Sequence, residues 1–129
     1  MAEEMILEIE VTCLPPLSVQ GHTLDVVMVP FTGTARGPYF SGRVMGTGVD
    51  TQKYEKDGTG FLSARYMLEG TDAAGTPCRV FIENQGSGEW RPRLVTDSPL
   101  LASWEEEGAR ATVDPAPGGV LVRIYKEVK

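Results

Sequence analysis

The sequence predicts an all-β protein, a closed or nearly closed antiparallel β-barrel of about eight to nine strands joined mostly by hairpins. Three observations predict it. Fifteen Gly and nine Pro punctuate a chain of 129 residues that is only 41% apolar and 8% aromatic, a balance that suits short strands and tight turns and argues against long helices. Apolar residues recur at every second position in several segments, the spacing that turns one face of a strand to a core. The first and last of these segments are both strongly regular, so pairing them would close the sheet and remove two exposed edges. The length fits one domain over 1–129 and leaves too little chain for a second core.

The first strand is Met5–Cys13, where Met5, Leu7, Ile9, Val11 and Cys13 alternate with polar residues and are expected to face inward. Pro15-Pro16 stops it, since proline has no N–H for a ladder and restricts the residue before it. A loop is expected through Gly21. Leu24–Phe31 is apolar and β-branched, a second strand, and Thr32-Gly33-Thr34-Ala35-Arg36-Gly37-Pro38 reads as a bend. Tyr39–Met45 is a further strand whose Gly42 signals a bend or a close approach of two backbones.

Asp50–Glu55 and Gly60–Glu69 form the clearest hairpin, because the Asp57-Gly58 step between them supplies the positive φ of tight turns. In the second of these strands Leu62, Ala64, Tyr66 and Leu68 share one face. Arg65 therefore points opposite to Tyr66 unless a bulge intervenes. A turn over 70–77 leads to Cys78–Asn84, and the flexible Gln85–Glu89 segment is expected at a barrel mouth. Residues 90–112 admit two solutions. Ser98-Pro99 and Gly108 bracket one or two helical turns, but Glu105-Glu106-Glu107 opposes the helix dipole, leaving a strand pair as the alternative. Gly118-Gly119 then opens the last strand, Val120–Val128, expected to pair with the first.

Charge and composition exclude several functions. Twelve Lys plus Arg against eighteen Asp plus Glu give a net charge of −6, the wrong sign for phosphate-backbone binding, so no nucleic-acid partner is expected. No apolar run approaches the ~18–20 residues needed to cross a bilayer, and the start lacks a basic flank followed by an apolar segment, so no membrane association and a cytoplasmic location are expected. The single histidine, His22, removes HExxH zinc chemistry. Cys13 and Cys78 lack CxxC spacing and read as small buried hydrophobes. No cofactor and no metal are expected.

Val29-Pro30-Phe31-Thr32-Gly33, Gly37-Pro38, Ser41-Gly42-Arg43-Val44, Asp50-Thr51-Gln52, Asp57-Gly58, Ala64-Arg65-Tyr66-Met67-Leu68 and Asn84-Gln85-Gly86 together resemble, in order and spacing, the bacterial and fungal domain-of-unknown-function family numbered 3237, also called uncharacterised protein family 0311. The resemblance spans about residues 28–86, with an echo at Val122–Val128. It implies a small antiparallel β-barrel and assigns no general activity. The chain departs from the family pattern in three places. Thr47-Gly48-Val49 replaces a glycine pair before Asp50, an arginine common before Val29 is missing, and the segment around Thr96–Leu101 and Trp104 is shorter. A pocket lined by those groups should differ accordingly.

Asp50 and Gln52, two apart on one strand, present a carboxylate and an amide to the same side. Arg65 adds a cationic fork, Tyr66 a phenol and Asn84 a second amide. If these five converge in the barrel interior or mouth, they make a binding site for a small, partly apolar molecule. The competing reading leaves Asp50 as a turn cap, Arg65 in a structural ion pair and Tyr66 in the core. Two other functions stay open. One is a cofactor-independent isomerase, cyclase or hydrolase in which Asp50 moves a proton while Arg65 or Tyr66 steadies negative charge. The other is a structural or oligomerisation module anchored by Trp90, Trp104 and Leu100-Leu101. A homodimer is the expected assembly, because two-fold symmetry is the commonest.

Overall fold

A computed structural model describes residues 2–127. Its described residues form ten strands: β1 (Glu3–Cys13), β2 (Leu17–Gln20), β3 (Leu24–Arg36), β4 (Phe40–Val44), β5 (Gly48–Glu55), β6 (Gly60–Asp72), β7 (Pro77–Gly86), β8 (Arg93–Thr96), β9 (Arg110–Ala116) and β10 (Gly119–Glu127). They build one antiparallel sheet in the order β8-β7-β6-β4-β3-β1-β10-β9, with β5 between β3 and β6 beyond the end of β4, and β2 alongside β3 beyond the end of β1. The regular end segments pair as their alternation predicts, with Leu7 opposite Ile124, Ile9 opposite Val122 and Val11 opposite Val120. Closure comes at a different place. The sheet's outer strands are β8 and β9, and a single bridge joins that seam, the Ala111 N–H donating to the Trp90 carbonyl at 3.1 Å. The barrel is therefore nearly closed.

Four local expectations change. Residues after Pro15-Pro16 are not all loop, because Leu17–Gln20 turns back and pairs with Asp25–Met28. The 32–38 segment is not a bend until Gly37: β3 continues to Arg36, burying Phe31 and Ala35 while Thr32 and Thr34 stay exposed. Gly33 is needed there because a Cβ would lie 2.6 Å from the Glu10 carbonyl oxygen of β1, so this glycine permits close strand approach within a ladder. In β1 a register shift between Met5 and Leu7 buries both Ile6 and Leu7 and turns Met5 outward, breaking the strict odd-in pattern. Residues 90–112 contain parts of both solutions. A 3-10 helix occupies Pro99–Glu105, and β8 and the start of β9 flank it, but these two strands pair with β7 and β10, respectively, and not with each other. Val128 lies outside the described residues.

The two best hairpins share one turn. Gly58 N–H bonds to the Glu55 carbonyl and Glu55 N–H to the Thr59 carbonyl, and the same pair of bonds recurs from Gly75 to Asp72 and from Asp72 to Thr76. Only the glycines take positive φ, 94° at Gly58 and 79° at Gly75. These are three-residue loops ending on a left-handed glycine, and Asp57 serves instead by accepting the Thr59 N–H at 2.9 Å.

Inward residues divide the barrel along its axis. At the end where β1 begins and β10 finishes, Leu7, Ile9, Leu68, Val80, Ile82 and Ile124 are wholly buried. The 3-10 helix adds Leu101 and Trp104 to this core. Lys126 Nζ, from the last turn of inward positions on β10, donates to the Ser103 and Glu106 carbonyls at 3.0 and 2.7 Å, tying the helix across that end. The opposite end is hollow.

Candidate functional site

The hollow end holds a cavity of about 250 Å³, room for roughly eight waters or one small molecule. Its walls come from the late part of β1, the middle of β3, β5, the first half of β6, the end of β7 and the start of β10, with Val11, Val29, Phe31, Leu62, Val120 and Val122 supplying apolar surface. The register explains the polar groups. Val29, Asp50, Ala64 and Asn84 form one continuous cross-strand row, so the small Ala64 separates a carboxylate from an amide. With neighbouring strands about 4.8 Å apart, those two groups stand on backbones roughly 10 Å apart. The next inward position along β6 is Tyr66, whose ring meets Phe31 edge-on at 5.1 Å. Gly48 makes that ring pair possible: a Cβ there would sit 2.5 Å from Phe31 Cζ and 2.7 Å from Tyr66 Cβ.

Asp50, Gln52, Tyr66 and Asn84 all line the cavity, whereas Arg65 does not. The register of β6 runs unbroken from Leu62 to Leu68, so no bulge lets Arg65 and Tyr66 face the same way, and the guanidinium stands exposed on the outer surface between Val49 and Glu83. The expected convergence of Asp50, Gln52 and Arg65 is corrected on this point. Three further residues were missed. Tyr54 continues the inward face of β5, donating its hydroxyl to Gln52 Oε1 at 2.9 Å, while Gln52 Nε2 donates to Asp50 Oδ2 at 2.8 Å. The period of two through Asp50 and Gln52 would have found it. Cys13, expected to be buried like Cys78, is instead exposed where it borders the cavity, and Trp90 lines it too. Trp90 reaches it from the turn after Gly86, and no local pattern announces that. The interface role read for Trp104 and Leu101 is corrected too, since both are buried in the core and only Leu100 is exposed.

Two atoms on the cavity wall lack partners. The Tyr66 hydroxyl and Asn84 Oδ1 are buried and make no hydrogen bond among the described residues, although each residue is only 5% exposed. Buried polar groups are almost always satisfied, so two orphans on residues that line one cavity stand out. Burial also pushes the Tyr66 phenol well above its ordinary pKa, keeping it a neutral O–H donor at physiological pH. A larger concavity of about 610 Å³ near Gly42, Arg43, Glu69 and Asp97 is an open groove on the outer face. Its Arg43 is already held by Glu69 at 3.0 Å, and it contains neither orphaned atom. Among the described residues no three His, Cys, Asp or Glu side chains converge as a metal site. No helix there is long and apolar enough to cross a membrane.

Fold and cavity define a nearly closed antiparallel β-barrel with a lined hollow at one end. The chain matches, over residues 2–113, the model of the family described as protein of unknown function DUF3237, and it belongs to that family. Its fold is similar to that of a protein of unknown function from Clostridium acetobutylicum ATCC 824, with 25% identity over 98% of this chain and 96% of that one and a TM-score of 0.82. A β-barrel-like protein from Acinetobacter baumannii AYE shares 16% identity over 97% and 96% of the two chains at a TM-score of 0.76. An enzyme from Penicillium herquei shares 17% identity over 96% and 92% at 0.75. No curated protein sequence matches the chain.

Proposed function

We propose that this protein binds a small, partly apolar molecule in the hollow end of its barrel through Asp50, Gln52, Tyr66 and Asn84. The observation that carries the reading is the pair of orphaned buried atoms, Tyr66 Oη and Asn84 Oδ1, on residues that line a mostly apolar cavity beside Asp50 and Gln52. The test is titration calorimetry with 2-naphthalenemethanol, a neutral bicyclic alcohol, on wild type and Tyr66→Phe. Wild type should bind, and the variant should lose about tenfold in affinity without losing thermal stability, because deleting a buried hydroxyl that has no protein partner removes a desolvation cost. Equal affinity in both proteins, or no binding to wild type, overturns the reading.

The Tyr54–Gln52–Asp50 chain supports a second reading, a cofactor-independent isomerase or cyclase. In it Asp50 takes a proton from a bound molecule and the Tyr66 hydroxyl steadies the resulting oxyanion. Arg65, on the outer surface, has no part in that scheme. A cytoplasmic location belongs to the proposal and suits the two free thiols, Cys13 and Cys78. So does a homodimer. Its best-supported surface is β2, a four-residue strand paired only with β3, on which Leu17 and Val19 are 65% and 60% exposed.

A further inference from the structure

The cavity wall carries charge of one sign only. Of its lining residues, Asp50 brings a carboxylate, Tyr66 a phenol kept neutral by burial and Cys13 a thiol, and none is Lys, Arg or His. Asp50 is half-buried, and its one side-chain bond is the Gln52 amide on Oδ2, so Oδ1 has no donor among the described residues. Directly across the strands its neighbours are Val29 and Ala64, which offer no compensating charge. Lys53, three residues on, and Arg65, on the adjacent strand opposite Val49, are exposed on the outward side of the sheet. Across the cavity Asn84 Oδ1 is a second acceptor without a donor. The wall therefore carries no positive charge, and the whole chain adds a net −6.

Resting on the binding reading above, we infer that the cavity selects its ligand by charge and takes an apolar amine, with the ammonium at Asp50 and the apolar body against Phe31, Leu62 and Val122. A half-buried carboxylate without a cation is costly, and an ammonium placed beside it offsets that cost with charge-assisted hydrogen bonds. The ammonium has an acceptor waiting in Asp50 Oδ1, the carboxylate oxygen that takes no donor from the protein. A carboxylate ligand instead brings a second negative charge into the same low-dielectric space, where like charges repel more strongly than in water. A barrel-end cavity of this kind is thus closed to fatty-acid-like ligands.

The experiment is calorimetry at neutral pH with one apolar body and three head groups: 2-naphthylmethylamine, 2-naphthalenemethanol and 2-naphthoate. Wild type should bind the amine at least tenfold more tightly than the alcohol and the naphthoate most weakly. Asp50→Asn should bring the amine down to the affinity of the alcohol and leave the alcohol within about threefold of wild type. Naphthoate binding as tightly as the amine overturns the inference, and so does an amine preference that survives Asp50→Asn, since the general negative field would then explain it. If the alcohol binds but no amine preference exists, charge selection fails while the binding reading stands. If nothing binds, both fail. Should Asp50→Asn not fold, the wild-type ranking is measured against salt: an amine preference that vanishes as salt rises belongs to the general field and overturns the inference, and one that persists supports it.

Discussion

The two ends of this barrel are built from the same strands and differ in what those strands turn inward. Along β6, Leu68 is wholly buried among Leu7, Val80 and Ile82 at one end, whereas Leu62 and Ala64, on the same face, border open space at the other. Along β7 the contrast is between Val80 and Asn84, and along β10 between Ile124 and Val120. Large branched residues and the 3-10 helix fill one end, while at the other Ala64, several valines and the short polar residues Asp50 and Asn84 leave space between the rings of Phe31, Tyr66 and Trp90. Such a division lets a small domain keep its stability in one half and place unsatisfied polar atoms in the other.

Truncating the packed end should have the largest effect. Leu68→Ala is expected to lower unfolding free energy by about 2–5 kcal/mol in chemical denaturation, because its neighbours cannot collapse into the space. Leu62→Ala, at the hollow end, should cost only about 1 kcal/mol. Similar losses for the two would abolish the contrast. Gly48→Ala should come next, at about 1–3 kcal/mol, since the new methyl must displace the Phe31 ring or the Tyr66 backbone. It should also weaken 2-naphthalenemethanol binding by wedging the ring pair into the cavity, and unchanged binding would show that Phe31 and Tyr66 do not shape it.

The smallest effect concerns pH at the packed end. Asp72 is held below the usual carboxylate range, first by the Ser98 hydroxyl at 2.8 Å and then by the Thr76 and Ala74 N–H groups. A carboxyl whose pKa is lower folded than unfolded stabilises the fold above its ordinary value, about 3.9, and loses that contribution as pH falls through the lower, folded value. Melting temperature should therefore fall more gently with acidification in Asp72→Asn than in wild type. Identical acid limbs would remove Asp72 from the account and leave Glu8, similarly lowered by Arg36 and Arg123, to carry it.

Much of this was legible from residue order. The alternation read over Met5–Cys13 and Val120–Val128 identified two strands and their partnership, and the glycines at 58 and 75 located two hairpins. Asp50, Gln52, Tyr66 and Asn84 could be assigned to inward faces because strand period is a local property. Arg65 could not join them for the same reason, once β6 proved free of bulges. Gly33 misled because glycine marks both a turn and a close approach of strands, and only the nearness of the Glu10 carbonyl on β1 distinguishes them.

Local chemistry in the sequence thus determined which residues form strands and which side each faces, since both follow from backbone geometry over a few residues. The tertiary structure alone decided that the seam lies at Trp90 and Ala111, that a 3-10 helix fills one end, and that the polar atoms of Tyr66 and Asn84 are buried without a partner. Those outcomes depend on curvature and on volumes summed across strands distant in the chain, quantities that no single segment contains.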